Sequence, residues 1–320
     1  MSSSMSAVVQ HQFGGPQVLR VKQVPRPEPL PTEVLVRVCA AGVNPVDWKT
    51  RAGSGMVGVL GEPPFVLGWD VSGVVEQVGY GVTTLAPGDE VYGMPWFPRA
   101  AGGYAEYVTA PSRQFARKPA AVDHVHAAAV PLAALTAWQV LVDTAHVQPG
   151  QRVLIHAAAG GVGHFAVQLA KHLGAQVVGT ASARHHDWLS KLGADELVDY
   201  TAARFEDTVR DVDVVVDLVG DGSDRTGTRS IGVLRSGGLL VEVPGLSPEL
   251  AKAAHASGVR CGPFLVEPDG PALARIAELI DDGTVSVEVQ EVLPLAQAAV
   301  AHEHGETDRT RGKIVLHVAD

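Results

Sequence analysis

The chain has 320 residues, 46% hydrophobic and 19% charged, with a formal net charge of −10. Single cores stop growing at roughly 250–300 residues, so two domains are expected; the composition argues against disorder, and an acidic balance without any basic run argues against nucleic acid as the main partner. Cys39 and Cys261 are the only cysteines, too few for a disulfide framework or a four-cysteine zinc lobe, and they fit a reduced, cytoplasmic setting.

In chain order, MSSSMS lacks the charged and apolar regions of a signal peptide, so residues 1–6 read as a disordered leader. Residues 7–125 are β-rich: AVVQHQ, LRVKQVP, EVLVRVCAAGV, SGVVEQVG, DEVYGM and AEYVTAP are short Val-rich segments punctuated by Pro and Gly, the spacing of a small barrel or sandwich. HAAAVPLAALTAWQVLVDTA (126–145) then predicts one long helix. RVLIHA, GGVGHFAVQLAKHLG, AQVVGTA, HHDWLSKLGA, ELVDY, DVDVVVDLVG, TGTRSIGVLRSG and GLLVEVPG alternate as strand and helix, and VRCGPFLV (259–266) adds a strand. That rhythm predicts a parallel sheet covered on both faces over residues 126–266, with right-handed crossovers. Residues 267–320 follow with a helix (PDGPALARIAELIDDG) and short strands (VSVEVQEVLP, GKIVLHV), and they complete the first domain. No apolar run approaches the ~20 residues of a membrane helix.

The turn AAAGGVG carries the first chemistry. Gly161-Val162-Gly163-His164-Phe165-Ala166 fits G-x-G-x-x-A between an apolar strand and an amphipathic helix. Glycine there permits a tight turn and close approach to a pyrophosphate, and the helix N-terminus supplies N–H groups and partial positive charge. Gly160, Gly161, Val162 and Gly163 are therefore the expected cofactor cradle; alone, the pattern is equally a packing turn. No Walker loop occurs. An NAD-preferring fold carries Asp or Glu about 20 residues on, where this chain has Ala181. Ser182 and Arg184 follow, and Arg184 can pair with a 2′-phosphate, which favours NADPH. Arg184 could also be a solvated loop charge.

AGVNPVDWKTRAG (41–53), LGWDVSGVVEQVG (67–79), GGYAEYV (102–108), PLAALTAW (131–138), AAAGGVG (157–163), LGADELVDY (192–200) and GKIVLHV (312–318) together resemble the medium-chain dehydrogenase/reductase superfamily, in its zinc-free quinone oxidoreductase (zeta-crystallin-like) branch. The resemblance implies an α/β fold: a β-rich GroES-like catalytic domain plus a doubly wound Rossmann nucleotide-binding domain. Zinc alcohol dehydrogenases of the superfamily carry Cys where this chain has Asn44, His-Glu where it has Trp69-Asp70, and a third ligand near Leu132. Trp and Leu cannot ligate zinc and Asn is a poor ligand, so no metal is expected. His302 and His304 lack a third ligand in sequence.

Without a Lewis acid, charge on a single carbonyl oxygen lacks strong stabilisation, whereas a quinone or conjugated enone spreads it. The expected reaction is hydride transfer from NADPH to such an acceptor. The resemblance places Asn44 and Thr136 beside the nicotinamide as catalytic residues; their alternatives are a turn residue before Pro45 and a helix hydroxyl bonding its own backbone. Asp47 and Lys49 form a local ion pair or shape the substrate pocket, and Lys49 donates a proton only if burial lowers its pKa. Trp69 and Trp96, the latter in MPWFPRAAGGY, would wall a flat substrate. Tyr200, Gly245, Phe264 and Leu265 match segments that run along the cofactor, and the strand at 259–266 suits a homodimer contact. The alternatives are an enoyl-thioester reductase and a non-enzymatic NADPH-binding redox sensor.

Overall fold

The computed structural model describes residues 3–222 and 224–319. The chain forms two compact units, Met1–Leu135 with Glu267–Asp320, and Thr136–Val266. The first change of unit falls inside the helix Pro131–Trp138, so residues 126–135, expected in the nucleotide-binding domain, pack with the first unit. Among the described residues no helix is long and apolar enough to cross a membrane.

The first unit is built on a seven-stranded sheet. Its strands run in the order Val289–Pro294, Lys313–His317, Glu33–Val43, Asp70–Val78, Glu90–Gly93 and Phe115–Arg117, with Tyr107–Pro111 also pairing onto Glu33–Val43. The C-terminal tail thus supplies two of its strands. Val34, Val36 and Val38 point into one core with Val71, Val75, Val91 and Val108, whereas Ala41 and Val43 join Leu67, Tyr104 and Leu316 in another. A register shift between Val38 and Ala40 interrupts the ladder where the strand passes from one core to the other.

Three expectations are corrected. Ser4–Ser6 are not a disordered leader: the strand Ser4–Gln10 pairs from Ser4↔Pro25 onward, and Met5 packs with Val9 and Ala105. Residues 1 and 2 lie outside the described residues. The stretch 126–145 is not one helix but His124–Ala128, Pro131–Trp138 and a π-helical turn Gln139–Thr144. Pro131 has no N–H to continue the preceding helix and starts the next one. TGTRSIGVLRSG is helical only over Thr226–Ser230; Leu234–Glu242 is already strand, because a register shift lets Leu234 pair with Val212 before Leu239 pairs with Val214. Two short helices, Pro45–Arg51 and Ala298–Gly305, break the β-rich reading of the first unit. Pro45 at the first helical position, with the Asp47 carboxylate accepting the Asn44 N–H, is a helix-start pattern that NPVD already contained.

The second unit is a six-stranded sheet ordered Glu196–Val198, Gln176–Thr180, Arg152–Ile155, Val212–Asp217, Leu234–Glu242, Arg260–Pro263, parallel at every pairing. Leu154, Val178, Val215 and Leu240 fill one core beneath it. The first strand in sequence lies centrally, with later strands added on both sides. That order places a topological switch point at the carboxyl ends of Arg152–Ile155 and Val212–Asp217, where open α/β sheets bind their ligands.

Candidate active site and cofactor cradle

In the first unit, positions 44, 70 and 132 converge. Asn44 Nδ2 donates to Asp70 Oδ2 at 2.8 Å, and the Leu132 N–H donates to Asp70 Oδ1 at 2.8 Å. Lys313 Nζ donates to Asn44 Oδ1 and, at 3.0 Å, to the Val43 carbonyl, and it lies 3.5 Å from Asp70 Oδ2. Asn44, Asp70 and Lys313 are all buried. Gly42 makes the room: a Cβ there would stand 2.9 Å from Asp70 Cβ and 2.3 Å from the Ala128 carbonyl oxygen. Burial pushes the Asp70 carboxyl up and the Lys313 ammonium down, and their mutual attraction opposes both shifts. The hydrogen bonds favour the ionised pair, since both Asp70 oxygens accept N–H bonds and Nζ donates to two oxygens.

Asp47 turns inward beside this cluster. Its Oδ2 accepts the Asn44 N–H at 2.7 Å and the Tyr104 hydroxyl at 2.9 Å. Burial pushes its pKa up to about 7. A directed chain leads away from it. Tyr104 Oη meets His302 Nε2 at 3.3 Å, Arg51 Nη1 meets His302 Nδ1 at 3.3 Å, and Arg51 Nη2 pairs with Glu306 at 2.5 Å. Arg51 can only donate, so His302 is neutral, with Nε2–H facing the Tyr104 oxygen. Burial and the Arg51 charge hold the His302 pKa near 3.

The remaining predicted residues of this unit are placed differently. Lys49 is exposed while Asp47 is fully buried, so the expected local ion pair gives way to the Asp47–Tyr104 bond. Trp69 is buried, its Nε1 donating to the Arg99 carbonyl at 2.7 Å and its ring meeting Phe97 edge-on at 5.4 Å. Trp96 is half-buried, with Nε1 donating to the Thr109 carbonyl at 2.8 Å. Both indoles thus brace the 94–104 loop from within.

In the second unit every predicted cofactor residue follows the carboxyl end of a parallel strand. Gly160–Gly163 follow Arg152–Ile155, Ser182 and Arg184 follow Gln176–Thr180, Tyr200 follows Glu196–Val198, Gly245 follows Leu234–Glu242, and Phe264 and Leu265 follow Arg260–Pro263. The Ala158 N–H donates to the Thr180 carbonyl at 3.0 Å, joining the glycine turn to the start of the Ser182 segment. A Cβ at Gly163 would stand 2.3 Å from the Ala157 carbonyl oxygen, so only glycine lets the helix Gly163–His172 start this close to its strand. These residues fit a dinucleotide pyrophosphate, with the N–H groups of that helix start facing the switch point. Arg184 and Tyr200 are exposed, and Arg184 Nε lies 3.0 Å from His185 Nε2. Thr136, the first residue of this unit, is buried in its helix.

Sequence reasoning passed over a second buried polar group at the same sheet edge. Asp217 and Glu242 are fully buried and directly opposite each other across parallel strands. Asp217 Oδ1 accepts the Val219 and Gly220 N–H groups at 2.8 and 3.0 Å. Burial, then the Asp217 charge, push the Glu242 pKa up to about 8. Nearby His156 meets Thr180 Oγ1 at 3.1 Å and Ser230 Oγ at 2.9 Å, and burial lowers its pKa to about 4. A lone acid within the apolar run LLVEVP, and a lone lysine heading IVLHV, were the available signals for Glu242 and Lys313. Tyr104 and His302 gave none, because their meeting depends on the tail folding back.

Comparison with known proteins agrees with this architecture. An alcohol dehydrogenase GroES-like domain model matches residues 30–120, and a zinc-binding dehydrogenase model matches residues 192–316. The chain is 34% identical to the 2-methylene-furan-3-one reductase of Solanum lycopersicum, over 98% of this chain and 79% of that protein. It is also 34% identical to the chloroplastic NADPH-dependent alkenal/one oxidoreductase of Arabidopsis thaliana, over 98% and 79%. The solved quinone oxidoreductase of Coxiella burnetii superposes with a TM-score of 0.92 at 37% identity, covering 98% of this chain and 99% of that one. The chain belongs to the quinone oxidoreductase branch of the medium-chain dehydrogenase/reductase superfamily. Among the described residues, no group of three or more His, Cys, Asp or Glu side chains is arranged to hold a metal ion.

Proposed function

We propose that this protein is an NADPH-dependent reductase that transfers hydride to quinones or α,β-unsaturated carbonyls without zinc. The observation that carries the reading is the buried Asn44–Asp70–Lys313 cluster, built around Asn44, a position at which the resemblance sets a zinc ligand in the zinc enzymes of the superfamily. An amide and an ammonium occupy that place, and an ammonium repels a metal cation. The activities for which the relatives are named, 2-methylene-furan-3-one reductase, alkenal/one oxidoreductase and quinone oxidoreductase, support conjugated acceptors. NADPH is supported by the name of one relative, by the missing carboxylate at Ala181 and by Arg184 beside it.

Bound NADPH supplies the hydride. For an enone, the hydride forms a bond to the β-carbon, the C=C electron pair shifts to place charge on the carbonyl oxygen, and a solvent proton completes the α-carbon. The chain's task is to bind, orient and stabilise. The helix start at Gly160–Gly163 takes the pyrophosphate, Ser182 and Arg184 the 2′-phosphate, and Tyr200, Gly245, Phe264 and Leu265 the rest of the cofactor. Asn44 Nδ2 has a second hydrogen beyond the one given to Asp70, and that hydrogen goes to the acceptor's oxygen. Thr136 adds a neutral hydroxyl, and Trp69 and Trp96 stiffen the wall that a flat acceptor meets. A cytoplasmic homodimer completes the reading, with the edge strand Arg260–Pro263 as the pairing element.

The test is a substrate panel of quinones, enones, enoyl thioesters and simple alcohols, read by nicotinamide absorbance with NADPH and NADH, before and after exhaustive chelation. Turnover of quinones or enones with NADPH that survives chelation is expected. Chelator-sensitive alcohol oxidation would overturn the reading, as would absence of turnover on every acceptor. Gel filtration with light scattering tests the dimer.

A further inference from the structure

We propose that Lys313 is a positioning residue for the reaction: its ammonium holds and polarises the Asn44 amide that takes the acceptor's oxygen. This rests on the role of Asn44 proposed above. Three observations carry it.

The first is orientation. Asn44 Oδ1 faces the Lys313 ammonium, and Asn44 Nδ2 faces the Asp70 carboxylate at 2.8 Å. Flipping the amide would set a donor against a donor and an acceptor against an acceptor, so one rotamer is enforced. The second is anchorage. Lys313 heads the strand Lys313–His317, which pairs from Ile314↔Val43, and its Nζ is tied to the Val43 carbonyl at 3.0 Å. The ammonium is therefore fixed relative to the residue just before Asn44. The third is charge. The cation sits on the oxygen end of the amide, in a buried setting, and draws electron density from the N–H groups. The N–H left for the acceptor becomes a stronger donor as charge develops on the acceptor's oxygen. Asp70 and Asp47 are the charged groups that face Lys313, and Asp70 also fixes the amide's other hydrogen.

Lys313 thus supplies positive charge behind the donor without touching the acceptor, where a zinc enzyme has its metal touch the oxygen directly. The effect must scale with the charge that the oxygen develops. An enone concentrates charge on one oxygen, and a quinone spreads it over a ring and two.

The experiment compares K313M, K313Q and K313R with the wild type on one enone and one quinone. NADPH titration by nicotinamide fluorescence and urea unfolding are run on each. Lys313→Met and Lys313→Gln should lower enone kcat by on the order of 10–100-fold and quinone kcat by less, with NADPH affinity unchanged. Lys313→Arg, which keeps the charge, should retain the wild-type enone-to-quinone ratio. Gln restores a neutral hydrogen bond, so rescue by K313Q would assign Lys313 a merely structural role and overturn the inference. Equal losses on both acceptors, or no loss, would overturn it too. If K313M does not fold, K313Q against K313R decides the question alone. An inactive wild type would instead refute the proposed function, and an active wild type with unaffected N44A would refute the role of Asn44.

Discussion

Glu242→Gln should flatten the pH dependence of stability. Glu242 and Asp217 are direct neighbours across parallel strands, both fully buried. Like charges in that position repel unless a proton is shared. Asp217 Oδ2 and both Glu242 oxygens have no other hydrogen-bond partner among the described residues. Gly227 leaves them the space, since a Cβ there would stand 3.0 Å from Glu242 Oε2 and 3.2 Å from Asp217 Oδ2. The folded pKa of Glu242 is about 8 against an ordinary 4.5. Between those values the folded chain holds a proton that the unfolded chain has released, so stability falls as pH rises, by up to about 1.4 kcal/mol per pH unit. The penalty is absent below the unfolded value, complete above the folded one, and totals on the order of 3–5 kcal/mol. Gln at 242 cannot ionise and can donate to Asp217. Urea unfolding of the full chain from pH 5 to 9 measures both proteins, and their difference cancels the titrating groups that do not interact with Glu242, Asp47 among them. The variant should gain on the wild type with increasing pH, levelling off near pH 8. Parallel curves would refute the shared proton.

Three further outcomes are expected. Gly163→Ala forces a Cβ against the Ala157 carbonyl at 2.3 Å; overpacking of this kind costs about 1–3 kcal/mol, and NADPH affinity should fall at least tenfold by fluorescence titration (~1.4 kcal/mol). Arg184→Ala removes the proposed charge-assisted bond to the 2′-phosphate and should raise the NADPH KM roughly 10–100-fold with little effect on the NADH KM; equal effects on the two cofactors would make Arg184 a bystander. Tyr104→Phe deletes the donor to Asp47 at 2.9 Å and should cost about 1–3 kcal/mol. That bond stabilises the ionised carboxyl, so the loss in urea unfolding should be larger at pH 8 than at pH 5; an equal loss at both would refute it.

What could be read from the sequence was local or periodic. Alternating apolar segments gave the parallel sheet, and AAAGGVG between a strand and a helix gave the glycine turn proposed as the cofactor cradle. Asn44, Trp69 and Leu132 could be set against metal ligands one position at a time. What could not be read was adjacency made by register. Asp217 and Glu242 meet only because Val216 pairs with Val241. Lys313 reaches Asn44 only because the tail returns antiparallel to Glu33–Val43. The break at Pro131 was visible in sequence but was outweighed by the alanine-rich stretch around it.

Neither buried cluster is explained by stability. Burying an ammonium, a carboxylate and an amide together gains little over packed apolar side chains of the same volume, because the desolvation penalty offsets most of the attraction. The cluster around Asn44 does what an apolar core cannot: it fixes which end of the amide accepts from Lys313, and it sets positive charge behind the end that donates. A zinc ion achieves the same polarity by direct contact with the oxygen and so acts on any carbonyl. A polarised amide is weaker, and it suffices where conjugation has already spread the charge. On the function proposed here, the ligand positions of a metal enzyme and the donor cluster of a metal-free one would be two uses of one place in the fold, with Lys313 setting a fixed cation beside Asn44.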